Sequence, residues 1–304
     1  MKYNLKKSVN NKILLPDELG IELYIKRDDL IHPNISGNKY RKLKYNIEEA
    51  QQLNFKRLLT FGGAFSNHIA AVASVGKKFG FNTIGIIRGE ELEERIYENP
   101  TLNFAKGCGM EFKFISRKDY RNKTSKKFIK NLQNEFDSFY LLPEGGTNGL
   151  AVKGCEEILT EDDARFDFIC SSVGTGGTIS GLINSSLPDQ QVLGFPALKG
   201  NFLKNEIIKF ADKTNWKLID DYHFGGYAKV SVELIEFINI FKKNTGIPLD
   251  PVYTGKMLFG IFDMINADFF PKGSKILAIH TGGLQGIQGM NKLLIKKNLP
   301  ILAI

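Results

Sequence analysis

The segment FDFICSSV (166–173) runs into GTGGT (174–178) and then ISGLI (179–183). The first part is a near-continuous apolar run, as a strand buried on both faces requires. The last part has the spacing of a helix, so the whole reads as strand, glycine-rich turn and helix start. Glycines let the backbone approach a ligand closely, and the unpaired N–H groups of a helix start point into the turn. Thr175 and Thr178 can add hydroxyl donors, so Gly174, Thr175, Gly176, Gly177 and Thr178 form a candidate anion cradle. The turn lacks the G-x-x-x-x-G-K-[ST] pattern of nucleoside-triphosphate loops and the G-x-G-x-x-G of dinucleotide sites. A compact phosphate monoester fits better, with a plain tight turn as the alternative.

The same grammar recurs along the chain. Apolar runs at RLLTF (57–61), TIGIIR (83–88), EFKFI (111–115), SFYLL (138–142), VLGFP (192–196) and KILAIH (275–280) alternate with helical patterns. Short glycine-containing connections between them imply parallel sheets with helices on both faces. At GGAFSNH (62–68) a strand turns into a helix near Ser66, whose hydroxyl would lie beside free N–H groups, placed for a carboxylate. As the alternative, Ser66 is an N-cap and nothing more. HTGG (280–283) ends the last strand in the same way. Open α/β sheets gather ligands at the carboxyl ends of their strands.

SGNKYRKL (36–43) follows a short strand at ELYIK (22–26) and a polar loop. Ser36 or Asn38 can cap a helix whose apolar stripe is Leu43, Ile47, Ala50 and Leu53. Lys39 then lies in the first turn, where the macrodipole is positive, and Lys42 lies close to the same face. Both effects favour a neutral Lys39, the form a Schiff-base lysine needs. Taken alone, the stretch reads first as a solvated basic helix start, and other stretches have to overturn that.

Composition sets the outer bounds. The 304 residues are 42% hydrophobic and 24% charged, ordinary globular values, with 41 basic against 33 acidic side chains and a net charge of +8. The charge is dispersed; its densest stretch, RKDYRNKTSKKFIK (117–130), reads as one amphipathic helix in which Tyr120, Phe128 and Ile129 pack. An attraction for anionic ligands follows, without a nucleic-acid surface. Cys108, Cys155 and Cys170 have no paired spacing, Cys170 reads as a buried thiol, and the four histidines have no metal-ligand spacing. With no signal peptide and no apolar run near 18 residues, a soluble cytoplasmic protein with no membrane or metal site is expected.

Six motifs stand in one order: SGNK with RKL (36–43), GG with SNH (62–68), LPEGG (142–146), VGTGGT (173–178), LDPVYTGK (249–256) and HTGG (280–283). Together they resemble the 1-aminocyclopropane-1-carboxylate deaminase/D-cysteine desulfhydrase family of pyridoxal-phosphate enzymes, over about residues 16 to 290. The resemblance implies an α/β fold of two open parallel-sheet domains, tryptophan-synthase-β-like (fold type II), with pyridoxal 5'-phosphate in the cleft. Residues 1–43 with 143–304 would form the larger domain, and 44–142 the smaller one contributing substrate contacts. It implies that Lys39 holds the cofactor and moves the substrate proton, and that Lys42 and the 174–178 turn bind the phosphate. Asn67 would meet the phenolic oxygen, Ser66, Asn67 and His68 the substrate, and Tyr253 and Tyr227 would face it. Tyr227 rests on the looser GGY (225–227).

The deaminases carry Glu after the motif tyrosine; here it is Thr254, as in the desulfhydrases. A hydroxyl from Thr254 or Thr281 near the pyridine nitrogen gives a weaker electron sink than a carboxylate. That suffices for α-proton removal and loss of a good β leaving group. The implied activity is β-elimination from D-cysteine to pyruvate, ammonia and sulfide, in a homodimer acting on a small amino acid. Cyclopropane opening is the alternative, and a non-catalytic basic anion- or nucleic-acid-binding protein is the alternative of another class. Tyr40 within the lysine motif, and a short segment after His68 that lacks the usual Arg, depart from the family pattern.

Overall fold

The computed structural model describes residues 5–35 and 37–303. The strands are β1 (Asn10–Ile13), β2 (Glu22–Lys26), β3 (Arg57–Gly62), β4 (Asn82–Arg88), β5 (Glu111–Ile115), β6 (Tyr140–Leu142), β7 (Phe168–Val173), β8 (Gln191–Pro196), β9 (Trp216–Leu218) and β10 (Lys275–Ile279). The α-helices are α1 (Asn38–Gln52), α2 (Asn67–Phe79), α3 (Pro100–Gly107), α4 (Arg117–Tyr120), α5 (Lys126–Phe136), α6 (Gly149–Glu156), α7 (Gly177–Ser185), α8 (Phe202–Ile208), α9 (Val232–Thr245), α10 (Thr254–Asn266) and α11 (Gly286–Lys296).

The strands form two sheets. One has the order β1-β2-β10-β7-β8-β9, the other β5-β4-β3-β6. Every pairing is parallel except β1 with β2. The fold is the expected α/β architecture, because the interior strands are apolar on both faces and each sheet is covered by helices. Leu23, Ile25, Ile169, Cys170, Leu277 and Ile279 are wholly buried in the larger sheet; Leu58, Leu59, Ile86 and Ile87 are wholly buried in the smaller one. Among the described residues no helix is long and apolar enough to cross a membrane.

Three local expectations change. RKDYRNKTSKKFIK is not one helix but two, α4 and α5, because Ser116 and Ser125 each accept from a backbone N–H and start a separate helix. Tyr120 nonetheless packs, with Phe128 and Ile129 beside it. Leu53 is not on the buried stripe of α1; it follows the last helical residue and is 59% exposed, whereas Leu43, Ile47 and Ala50 are buried. Asn38 is the first residue of α1 rather than its cap, which is Gly37; the Ser36 alternative lies outside the described residues.

Gly37 is required by both backbone angle and space. Its φ is +58°, and a Cβ there would lie 2.0 Å from the Thr281 carbonyl oxygen. Its N–H donates to the Asp28 carbonyl at 3.0 Å and that of Asn38 to Thr281 O at 3.3 Å, so α1 starts directly beneath the end of β10. The other anchor of α1 is Arg41. Its Nε and Nη2 donate to the Asp28 carboxylate at 3.0 and 2.9 Å and its Nη1 to Glu157 O at 2.9 Å, all within the interior. On the same side Gly154 of α6 lets the helices touch, since a Cβ there would meet Arg41 O at 2.0 Å.

Removing one partner of a buried ion pair strands the other charge, at a cost of about 3–5 kcal/mol. Asp28→Ala is therefore expected to lower unfolding free energy by roughly that amount in urea denaturation. A loss within the ~0–1 kcal/mol typical of exposed pairs would contradict the assignment.

Candidate active site

Three helix starts converge on one cavity between the sheets: α1 below β10, α2 after β3 and α7 after β7. Lys39, Lys42, Ser66, Asn67, His68, Gly174, Thr175, Gly176, Thr178, Tyr227, Tyr253 and Thr281 all line it. The structure thus gathers residues that are up to 242 positions apart in the chain (281 − 39). Two expected residues are not on its wall. Gly177 turns instead against Thr147. Thr254 is wholly buried, its hydroxyl donating to Asp250 Oδ2 at 2.7 Å and accepting from Asp250 N at 3.0 Å. The free N–H groups at the start of α10 must be capped, and Asp250 does so; Thr254 joins that cap instead of the cavity.

Lys39 stands in the first turn of α1, its Nζ donating to Asn38 Oδ1 at 3.0 Å. Asn38 in turn donates to Thr178 Oγ1 at 2.9 Å, tying the lysine turn to the glycine turn. Burial, then the nearby Lys42 ammonium, push the Lys39 amine down to about 7; Asp250 opposes them weakly. Lys42 is buried, and its Nζ meets three neutral oxygens: Gly145 O at 3.1 Å, Thr147 Oγ1 at 3.0 Å and Thr175 Oγ1 at 3.3 Å. A buried ammonium without a carboxylate is costly unless an anion shares its site.

That cation, the glycine turn and the start of α7 together suit an anion such as a phosphate, close to a lysine whose amine is pushed down to about 7. The pyridoxal-phosphate-dependent enzyme family model matches residues 13–282. The chain belongs to that family.

Relatives sharpen the likeness. The chain is 33% identical over 288 residues to a putative 1-aminocyclopropane-1-carboxylate deaminase of Pyrococcus horikoshii, covering 88% of this chain and 86% of that one. It is 32% identical over 299 residues to a mitochondrial bifunctional D-cysteine desulfhydrase/1-aminocyclopropane-1-carboxylate deaminase of Arabidopsis thaliana, covering 88% and 74%. Among solved structures, a homologue of the deaminase superposes with a TM-score of 0.81 at 30% identity, covering 95% of this chain and 93% of that one. The protein is a pyridoxal-phosphate enzyme of tryptophan-synthase-β-like fold, and the reading as a non-catalytic basic protein falls away.

The residues present fit this cofactor. The uncompensated Lys42 and the α7 start suit its phosphate, and Lys39 suits its aldehyde. Also on the wall, the Ser172 and Thr281 hydroxyls lie 3.3 Å apart at the ends of β7 and β10. Among the described residues that line the cavity there is no Asp or Glu.

Ser66 caps α2, accepting from Ile69 N at 3.3 Å, which leaves its own proton free to donate. His68 is buried, and neither ring nitrogen has a partner in hydrogen-bond geometry. Burial, with Lys39 and Lys42 nearby, holds its pKa well below 6.5; the Pro143 backbone opposes this weakly. At neutral pH it offers one N–H and one lone pair. Tyr227 and Tyr253 meet edge to face with ring centres 6.2 Å apart. Burial raises both phenols; each tyrosine also acts on the other, raising Tyr253 further and lowering Tyr227. Tyr227 is 44% exposed.

Asn38, Ser172 and Gln285 line the cavity as well, unforeseen as site residues. Asn38 was visible within the lysine motif but reads there as a cap.

Two outcomes follow. Lys42→Met is expected to weaken pyridoxal-phosphate binding roughly 10- to 100-fold, the worth of a charge-assisted hydrogen bond of about 1.5–3 kcal/mol, as read from a titration of cofactor absorbance. In cofactor-free protein, acylation of Lys39 by an amine reagent should rise with a midpoint near pH 7, as for a neutral amine, and level off well below 10. The lowered value also means that the unfolded chain binds more protons between about pH 7 and 10.5, so this group makes stability rise with pH there.

Proposed function

We propose that the protein catalyses β-elimination from D-cysteine or a closely related β-substituted amino acid, releasing pyruvate, ammonia and sulfide. The observation that carries this choice is the absence of an acid from the residues lining the cavity, where Thr281 and Ser172 supply hydroxyls instead. The bound cofactor supplies an electron sink for charge that develops at the substrate α-carbon. A ring nitrogen facing a hydroxyl withdraws less charge than one facing a carboxylate. Removal of an acidic α-proton with departure of a thiol tolerates that better than opening a cyclopropane, which has no α-hydrogen.

In this reading Lys39 Nζ, neutral near pH 7, takes the α-proton. Lys42, with Gly174 to Thr178, holds the phosphate; Asn67 holds the cofactor's phenolic oxygen. Ser66 Oγ and the N–H groups at the start of α2 receive the substrate carboxylate, with His68 as a neutral donor beside them. Tyr227 and Tyr253 stay protonated, face the β-substituent and protonate sulfur as its bond to carbon breaks. The Thr254 role passes to Thr281. The division we favour assigns 1–43 with 143–304 to the larger domain and 44–142 to the smaller, in a cytoplasmic homodimer.

The test is a product assay on protein loaded with pyridoxal phosphate. Pyruvate from D-cysteine is expected, with turnover lowered at least about 10²–10⁴-fold in Lys39→Ala, the range of a lost acid–base group. 2-Oxobutanoate from 1-aminocyclopropane-1-carboxylate, with no pyruvate from D-cysteine, would replace this reading by the deaminase one.

A further inference from the structure

Tyr227 reaches the cavity from a turn, residues 223–229, without helix or strand. Four of its seven residues have positive φ: Gly225 and Gly226 at +86° and +116°, which glycine adopts readily, and Phe224 and Ala228 at +53° and +55°. For Phe and Ala this region is disfavoured and persists only where surrounding contacts over-determine it. The turn's own bonds are few: Gly226 N to His223 O at 3.0 Å, Lys229 N to Gly226 O at 3.2 Å, and Gly225 N to His223 Nδ1 at 2.9 Å. Outside it, Phe224 packs edge-on against Phe259 with ring centres 5.0 Å apart.

A further tie comes from Lys256. This side chain is buried in the first turn of α10, and its Nζ donates to His223 O and to Gly226 O, both at 2.8 Å. These two carbonyls bracket Phe224 and Gly225, and Gly226 directly precedes Tyr227. An ammonium is out of place here twice over, first by desolvation and second by the positive end of a helix. Burial pushes the amine down to about 8, and the Asp250 carboxylate opposes that. Asp250 also caps the same helix turn, accepting from Val252, Tyr253 and Thr254 N–H groups at 2.9, 2.8 and 2.9 Å.

We propose that Lys256 is a positioning residue: by clamping the His223 and Gly226 carbonyls from the first turn of α10, it holds Tyr227 against Tyr253 across the cavity. Both tyrosines are then set by one helix turn, Tyr253 through the backbone that Asp250 caps and Tyr227 through Lys256. The part of this that concerns turnover rests on the proposed role of Tyr227 at the substrate; the part that concerns the turn does not.

Hydrogen exchange and steady-state kinetics on the pyridoxal-phosphate-loaded protein test it together. In Lys256→Met, which keeps bulk and removes every donor, amides of 223–229 should exchange at least about tenfold faster, while those of β10 and α2 keep wild-type protection. kcat should fall about tenfold with KM within about twofold, measured on whichever of D-cysteine and 1-aminocyclopropane-1-carboxylate gives product. In Tyr227→Phe protein the same substitution should cost less than about twofold more, because both changes act through one hydroxyl. Lys256→Gln, which keeps an N–H donor without the charge, should fall between wild type and Lys256→Met in both measurements. It serves alone if the Met variant does not fold. Unchanged exchange in 223–229 for either variant, or kcat losses that multiply independently with Tyr227→Phe, overturns the proposal. Because exchange needs no substrate, failure of the D-cysteine reading leaves that arm intact.

Discussion

The cavity is measured from the first turn of α1, and that turn is fixed by a buried ionic fork. Asp28 receives Arg41 through two nitrogens, while its own backbone carbonyl receives Gly37 N–H. One residue therefore holds both the entry to the helix and its second turn. Two charges removed from water are tolerated only with such geometry, since either alone would be stranded. Lys39 and Lys42 follow from it without further choice: they stand two and five residues after Gly37, on the face that the helix turns toward the glycine turn.

Within that frame a single physical effect tunes the site. Desolvation lowers the proton affinity of the basic groups Lys39, Lys42 and His68, and raises that of the phenols Tyr227 and Tyr253. The same dry environment yields a neutral base on one side and protonated hydroxyls on the other. Paired acid and base roles set by environment rather than residue type are a common feature of catalytic sites. Like-charge proximity between Lys39 and Lys42 adds to the effect on the base.

Much of this was legible in the sequence because parallel strands advertise themselves. Buried on both faces, β3, β4, β7, β8 and β10 are apolar runs, and each glycine-bearing turn marks a carboxyl end. The strands that escaped notice are β1, NNKI, and β9, WKL: edge strands, β1 with a single apolar residue and β9 only three residues long, too short to show a pattern. Adjacency in sequence misled at Thr254, since a helix rotates about 100° per residue and sends the neighbour of Tyr253 away from the cavity. Lys256 was unreadable for the opposite reason. Its partners lie 33 and 30 residues earlier, in a turn whose strain no residue pattern reveals. Asn38 looked like a cap because Asn often is one; Gly37 took that place since only glycine fits under Thr281.

The uncompensated ammonium of Lys42 has a consequence for the life of the protein in the cell. A ligand that binds only the folded chain stabilises it by mass action, about 2.7 kcal/mol at a hundred times its dissociation constant. In the proposed reading the ligand would bring a phosphate to a cation that the fold buries beside neutral oxygens, so part of the free energy of binding would be relief of a load carried by the empty form. Supply of pyridoxal phosphate therefore governs more than how many copies are active. Through the population of transiently opened chains it also governs how quickly copies made in times of scarcity are lost to proteolysis.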